Sequence, residues 1–177
     1  MNELILIQPT RKYSKQIWDL RCELKKEFEK IPGTNNLGLA PTIDEWFNSL
    51  EYDDQKSKKI KTTTYLAVRL ADDEVIGMVN IRHTLDEELL KYGGNVGYSV
   101  KPSERLKGYA TIMLKLALDE CYEQGINEVL VICSTKNEGS IKTILANGGV
   151  LEDEIERGLK KFQRYWINLA VVKNLAV

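Results

Sequence analysis

The sequence predicts an α/β fold, a sheet covered by helices, in which the early strands follow one another directly and the later ones alternate with helices. Three observations predict it. Thr63 to Leu70 and Glu74 to Thr84 are β-rich runs separated only by Ala71-Asp72-Asp73, the spacing of an antiparallel hairpin. Beyond Gly93-Gly94 the pattern alternates: Tyr98, Ser99 and Val100 are strand-like, Ile112, Leu116, Leu118 and Cys121 begin a helical period, and Val129 to Cys133 is a buried-type strand. Finally, 177 residues with 43% hydrophobic content can fill one core, at a size where roughly 70% of the extended-chain surface is buried. No repeat, linker or low-complexity tract interrupts the chain, so residues 1–177 are expected to form a single domain.

In order, Leu4 to Gln8 is a first strand ended by Pro9, and Tyr13 to Lys30 carries Ile17, Leu20, Leu24 and Phe28 at helical spacing. Ile31 to Pro41 is dense in Pro, Gly and Asn and reads as an exposed loop. Thr42 with Glu45 three residues on has the spacing of a capping box, opening a helix past Trp46, Phe47 and Leu50, whose aromatic pair suits an apolar helix face. Lys56, Lys58, Lys59 and Lys61 read as a solvated run with no function attached. Leu151 to Glu156 and Lys161 to Leu169 supply a last hairpin about Arg157-Gly158, followed by an apolar tail, 169–177, that can pack on its own domain or on a second copy as a homodimer.

The stretch from Gly97 to Leu118 organises the rest. Pro102 stops the strand because it has no N–H to donate, and a helix follows. At a helix N-terminus several backbone amides lack intrahelical partners and the macrodipole is positive, so a turn closing on Gly108 can wrap an anion, with Arg105 and Lys107 adding two cations. A phosphate or pyrophosphate is the expected ligand. A dinucleotide site fits less well, because Lys107-Gly108-Tyr109-Ala110 lacks the three-glycine fingerprint.

Arg105-Leu106-Lys107-Gly108-Tyr109-Ala110 resembles the Arg/Gln-x-x-Gly-x-Gly/Ala loop of the GNAT superfamily of N-acetyltransferases, and the order of elements resembles that family over most of the chain. The resemblance implies a mixed, mostly antiparallel central sheet with a splayed parallel pair, flanked by helices. It also implies acetyl-coenzyme A as cosubstrate, with the amides of the 105–110 loop on its pyrophosphate. By the same resemblance the amides of Tyr98 and Val100 face the acetyl and pantetheine groups, Asn137 and Ser140 contact pantetheine or orient the thiol, and the helix with Trp46 and Phe47 forms part of the acceptor site. From capping preferences alone, Asn137 and Ser140 read equally as an N-cap and a small packing residue.

Acetyl transfer needs a neutral amine, a polarised carbonyl and a departing thiolate. Relatives often carry a carboxylate before the loop, where this chain has Gly93-Gly94-Asn95-Val96, so His83, the sole histidine, and Glu87 are the candidates for general base. Where relatives place a tyrosine in the helix after Asn137 this chain has Ile144, which leaves Tyr98 and Tyr165 as candidate phenolic acids. Cys133 ends an apolar strand without an activating base, so direct transfer is preferred to an acyl-enzyme. The expected acceptor is a primary amine of a small molecule or peptide, and the alternative is a catalytically idle acyl-coenzyme A-binding module.

With 25 basic and 26 acidic side chains, a net charge of −1 gives no reason to expect nucleic acid or an anionic membrane as partner. No run approaches the roughly 20 apolar residues of a membrane span and no signal sequence is evident, so a cytoplasmic location is expected. Cys22, Cys121 and Cys133 are odd in number and lack ligand spacing, so neither a disulfide framework nor a metal site is expected.

Overall fold

A computed structural model describes residues 3–56 and 60–174, in which seven strands form two sheets. The first is an antiparallel meander of β1 (Leu4–Ile7), β2 (Thr62–Arg69), β3 (Glu74–Arg82) and β4 (Val96–Val100), paired in that order. The second contains β5 (Glu128–Ser134), β6 (Val150–Arg157) and β7 (Lys160–Asn168), with β7 in the middle. Both expected hairpins form. Asp73 turns the first at φ 57° and Gly158 the second at φ 62°, left-handed conformations that Asp tolerates and Gly adopts freely.

No ladder joins β4 to β5. The two meet where the Asn95 amide donates to the Leu130 carbonyl at 2.7 Å and Asn95 Oδ1 accepts from the Leu130 amide at 2.8 Å. From that contact both strands run forward into the walls of one cavity, Val96 to Tyr98 on one side and Val131 to Ser134 on the other. They are therefore a parallel pair that splays, as expected.

The first sheet is covered on both faces because its strands alternate two apolar sets. Leu66, Val68, Val75 and Met78 pack on Ile17, Leu20 and Leu24 of α1 (Ser14–Leu24) and on Trp46 and Phe47 of α2 (Ile43–Lys56). Ala67, Ile76, Val79 and Ile81 pack on Met113, Leu114, Ala117, Leu118 and Cys121 of α4 (Tyr109–Glu123), and Ile144 of α5 (Glu138–Ala146) joins the same core. Each Val, Leu, Ile or Met side chain so buried contributes about 1.5–3 kcal/mol. Trp46 and Phe47 thus belong to the core. A short α3 (Glu87–Tyr92), capped by Asp86 through the Leu89 amide at 2.8 Å, precedes β4. Thr42 caps α2 in the expected box, its hydroxyl accepting from the Glu45 amide and meeting the Glu45 carboxylate at 3.2 Å each.

Two expectations need correction. The first helix stops at Leu24, short of Lys30, because residues 25–30 offer one apolar side chain in six, Phe28, and the chain leaves the helix there through turns onto the Leu24 carbonyl. The segment 31–41 is not an exposed loop: Ile31, Gly33, Thr34, Leu37 and Gly38 are buried. Its carbonyls are satisfied from outside, those of Thr34 and Asn35 by Trp46 Nε1 at 3.0 and 3.2 Å and that of Leu37 by Arg21 Nε at 3.0 Å. Buried backbone is tolerable once it is paired in this way.

The tail begins as α6 (Leu169–Asn174), with Leu169 and Val172 packed on the domain's own core. Lys58 and Lys59 of the basic run, and residues 175–177 of the tail, lie outside the described residues. No helix among the described residues is long and apolar enough to cross a membrane.

Candidate active site

The splay between β4 and β5 opens a cavity of about 630 Å³, closed at its sides by Phe28 and Pro32 from the segment after α1, Tyr92 from α3, and residues 159–162 from the β6–β7 hairpin. The Lys101 amide donates to the Ile76 carbonyl at 2.8 Å, so by the two-residue alternation of an antiparallel ladder Gly97, Ser99 and Lys101 face β3. The amides of Tyr98 and Val100 therefore point to the open side. The 31–34 segment is held against β4 by Ser99 Oγ, which donates to the Pro32 carbonyl at 2.6 Å. Gly33 is required there: at φ 74° it approaches so closely that a Cβ would lie 2.6 Å from the Gly97 carbonyl oxygen and from Tyr98 Cα.

Inside the cavity the Tyr98 hydroxyl meets Ser140 Oγ at 2.8 Å. Burial pushes the Tyr98 phenol up to about 12, so it stays protonated at neutral pH. Cys133 also lines the cavity, and burial pushes its thiol up to about 11, which leaves it a poor nucleophile. Asn137 caps α5, its Oδ1 accepting from the Ser140 amide at 3.1 Å, so the capping reading holds while both side chains still line the cavity.

The 105–110 loop stands at the start of α4. Gly108, at φ 81°, precedes the helix without a side-chain cap, and the first bonds onto its carbonyl come from Thr111 and Ile112 at 3.2 and 3.3 Å. The amides of Tyr109 and Ala110 thus lie in the first turn, where intrahelical acceptors do not reach. Leu106, at φ 62°, is fully exposed. Tyr109 is buried and its hydroxyl accepts from Arg69 Nη1 at 2.9 Å, so only its backbone is open to a ligand. The two loop cations are already engaged: Arg105 Nη1 donates to both Glu27 carboxylate oxygens at 2.8 and 3.0 Å, and Lys107 meets Glu104 at 2.9 Å. Glu104 also holds Arg69 at 2.9 Å, and these cations keep its carboxyl below the usual range, Lys107 first.

The remaining candidates lie elsewhere. His83 follows β3 and its Nε2 shares a 2.8 Å hydrogen bond with Thr63 Oγ1; burial, then Lys61, lowers its pKa. Glu87 is exposed in the first turn of α3. Tyr165 is buried in the main core, donating to Gln163 Oε1 at 2.6 Å. None of these three lines the cavity. Ile144 is fully buried, so the family's tyrosine position is filled by core. Sequence reasoning missed Phe28, Tyr92, Lys160 and Phe162 as lining residues, and it met Asn95 only as the residue standing where relatives carry an acid.

A split sheet with open strand amides, beside an uncapped helix start behind a glycine turn, defines an acyltransferase of the acyl-coenzyme A class. Residues 4–150 match the acetyltransferase (GNAT) domain, and the chain belongs to that family of acetyl-coenzyme A-dependent enzymes. No curated protein matches it by sequence. Among solved structures it is similar to RimL, a ribosomal L7/L12 alpha-N-protein acetyltransferase in complex with coenzyme A, at TM-score 0.73 and 13% identity over 96% of each chain. It is similar to the spermidine N-acetyltransferase of Vibrio cholerae in complex with coenzyme A and spermine, at TM-score 0.71 and 14% identity over 98% of this chain and 100% of that one. It is also similar to the microcin C7 self-immunity acetyltransferase MccE in complex with acetyl-coenzyme A and AMP, at TM-score 0.69 and 19% identity over 95% of this chain and 93% of that one.

Proposed function

We propose that this chain transfers the acetyl group of acetyl-coenzyme A directly to a primary amine of a small molecule or peptide. The observation that carries the reading is the cavity between β4 and β5, where open amides, a buried phenol and the α5 start converge. The pyrophosphate lies on the amides of residues 105–110, and Arg105 and Lys107 exchange Glu27 and Glu104 for phosphate oxygens. Pantetheine runs along β4 beside Val100 and Asn137. The amide of Tyr98 or Val100 then holds the thioester oxygen as it becomes an oxyanion, an effect on the order of 10²–10³ in rate per donor.

The amine nitrogen attacks the carbonyl carbon, a C–N bond forms, the C–S bond breaks, and the amine proton ends on the sulfur. The Tyr98 hydroxyl, kept protonated by burial and oriented by Ser140, hydrogen-bonds the departing thiolate. Among the described residues no carboxylate lines the cavity, so deprotonation proceeds through water. The same observation favours the second reading, an idle acyl-coenzyme A-binding module.

Thiol release from acetyl-coenzyme A with a panel of amines separates the two. Turnover is expected, and Tyr98→Phe should lower kcat by about 10²-fold while coenzyme A affinity stays within about threefold. Tight coenzyme A binding with no turnover on any amine would leave the binding module standing.

A further inference from the structure

The cavity is lined by cations and, among the described residues, by no acid: Lys136, Lys160 and Lys161 contribute to its walls, and no Asp or Glu does. Some lysines elsewhere are neutralised by carboxylates, as Lys12, Lys15, Lys101 and Lys107 show. Lys161 is likewise taken, 3.1 Å from Glu156. Lys136 and Lys160 form no ion pair among the described residues. Lys160 shares a face of β7 with Phe162, two residues on and opposite Ser134 of β5, and Lys136 stands just before the start of α5. The partial positive charge of that helix start is offset by Glu138 in its first turn, whose carboxylate lies outside the cavity lining.

We propose that the acceptor is an amine that also carries an anionic group, a carboxylate or phosphate, held by Lys136 and Lys160. This inference rests on the acetyltransferase reading and narrows its acceptor. A polyamine brings two or more ammonium groups into a space that offers them no counter-charge, whereas an anion next to the amine is drawn in and exchanges solvent for two unpaired lysines. The same field works on the amine. Like charge disfavours the ammonium form, so the reactive free base is favoured in the cavity without a carboxylate to take its proton.

The test compares kcat/KM for matched acceptors: phosphoethanolamine against ethanolamine, an acidic against a neutral peptide amide with the same N-terminal glycine, and spermidine. The anionic member of at least one pair should exceed its neutral partner by about tenfold or more, and added salt should erode the difference. The pair that shows it identifies the source of the anion, a small amino-phosphate or an acidic chain terminus. The Lys136→Gln, Lys160→Gln double variant should bring the ratio toward one while the calorimetric Kd for coenzyme A stays unchanged. Equal rates within both pairs, preference for spermidine, or a double variant that loses coenzyme A binding and keeps the acceptor ratio would overturn the inference. Failure to acetylate any of the amines would instead sink the acetyltransferase reading, and this inference with it.

Discussion

Replacing Asn95 with alanine should damage both stability and catalysis, because this one side chain fixes where the two sheets part. Its Oδ1 accepts from the Leu130 amide at 2.8 Å, and its Nδ2 donates to the Arg82 carbonyl at 3.1 Å. The backbone of Asn95 also bonds both neighbours, donating to the Leu130 carbonyl and accepting from the Arg82 amide at 2.7 Å each. Asn95 is only 4% exposed, so truncation leaves the Leu130 N–H and the Arg82 carbonyl without partners in a dry place. At about 1–3 kcal/mol for each unsatisfied group, the loss is about 2–6 kcal/mol. For a chain of this size that corresponds to a fall in Tm of roughly 5–20 °C. Urea unfolding would measure the first effect, and kcat/KM per folded molecule the second. We expect the latter to fall about tenfold or more, since the Tyr98 and Val100 amides lose their fixed relation to β5. In Asn95→Asp the carboxylate still accepts from Leu130 but repels the Arg82 carbonyl, so it should rescue only part of the loss. An alanine variant with wild-type stability and wild-type kcat/KM would refute the argument.

Gly108→Val meets no atom within 4 Å of its Cβ in the free protein, so its penalty comes from φ 81° rather than from a clash. Folding should lose about 1–2 kcal/mol, read as a lower Tm, and the calorimetric Kd for coenzyme A of the folded variant should weaken about tenfold or more, about 1.4 kcal/mol; an unchanged Kd would remove the 105–110 loop from the cofactor site. His83→Ala should lower Tm through the lost Thr63 bond and leave kcat per folded molecule within a few-fold; a 10²-fold loss with intact cofactor binding would make His83 the base after all. The histidine also predicts a pH dependence of stability. Burial lowers its folded pKa, so the unfolded chain binds the proton more tightly; the wild type is fully stable above about pH 6.5 and loses stability as pH falls through the lowered value, a slope that His83→Ala should flatten in urea titrations between about pH 7 and 5.

The features legible in the sequence were local ones. The Thr42–Glu45 box, the Asn137 cap, both hairpins and the glycine turn at residue 108 each announce themselves within a few residues, because capping and turn chemistry act at that range. Segment 31–41 misled for the opposite reason: its composition is that of a loop, and only Arg21 and Trp46, distant in sequence, supply the donors that let it be buried. Of the candidate site, the outward strand amides and the glycine turn before α4 were legible as geometry. The charge pairing of Arg105 with Glu27, 78 residues away, and the arrival of Tyr92, Lys160 and Phe162 at one cavity depend on strand order, which no local pattern encodes. Asn95 was visible as a residue, but its role appears only once Leu130 is beside it.

The placement of β7 between β5 and β6 sets a schedule for the molecule. The meander β1 to β4 pairs neighbour with neighbour, so it can close while later residues are still being made. β5 has no such opportunity. One of its sides faces the splay, and its only ladder partner among the described residues, β7, arrives some 28 to 40 residues later, by the register Ser134 with Phe162 and Glu128 with Asn168. Until β7 is inserted, one wall of the cavity lacks its support and the residues 159–162 that complete its rim. Because domains emerge N-terminal end first during synthesis, the cleft is completed only once β7 has been made and paired with β5. A nascent chain carrying the whole 105–110 loop would still be inert, and removing the last strand would be expected to abolish acetyl transfer well before it dismantled the N-terminal sheet.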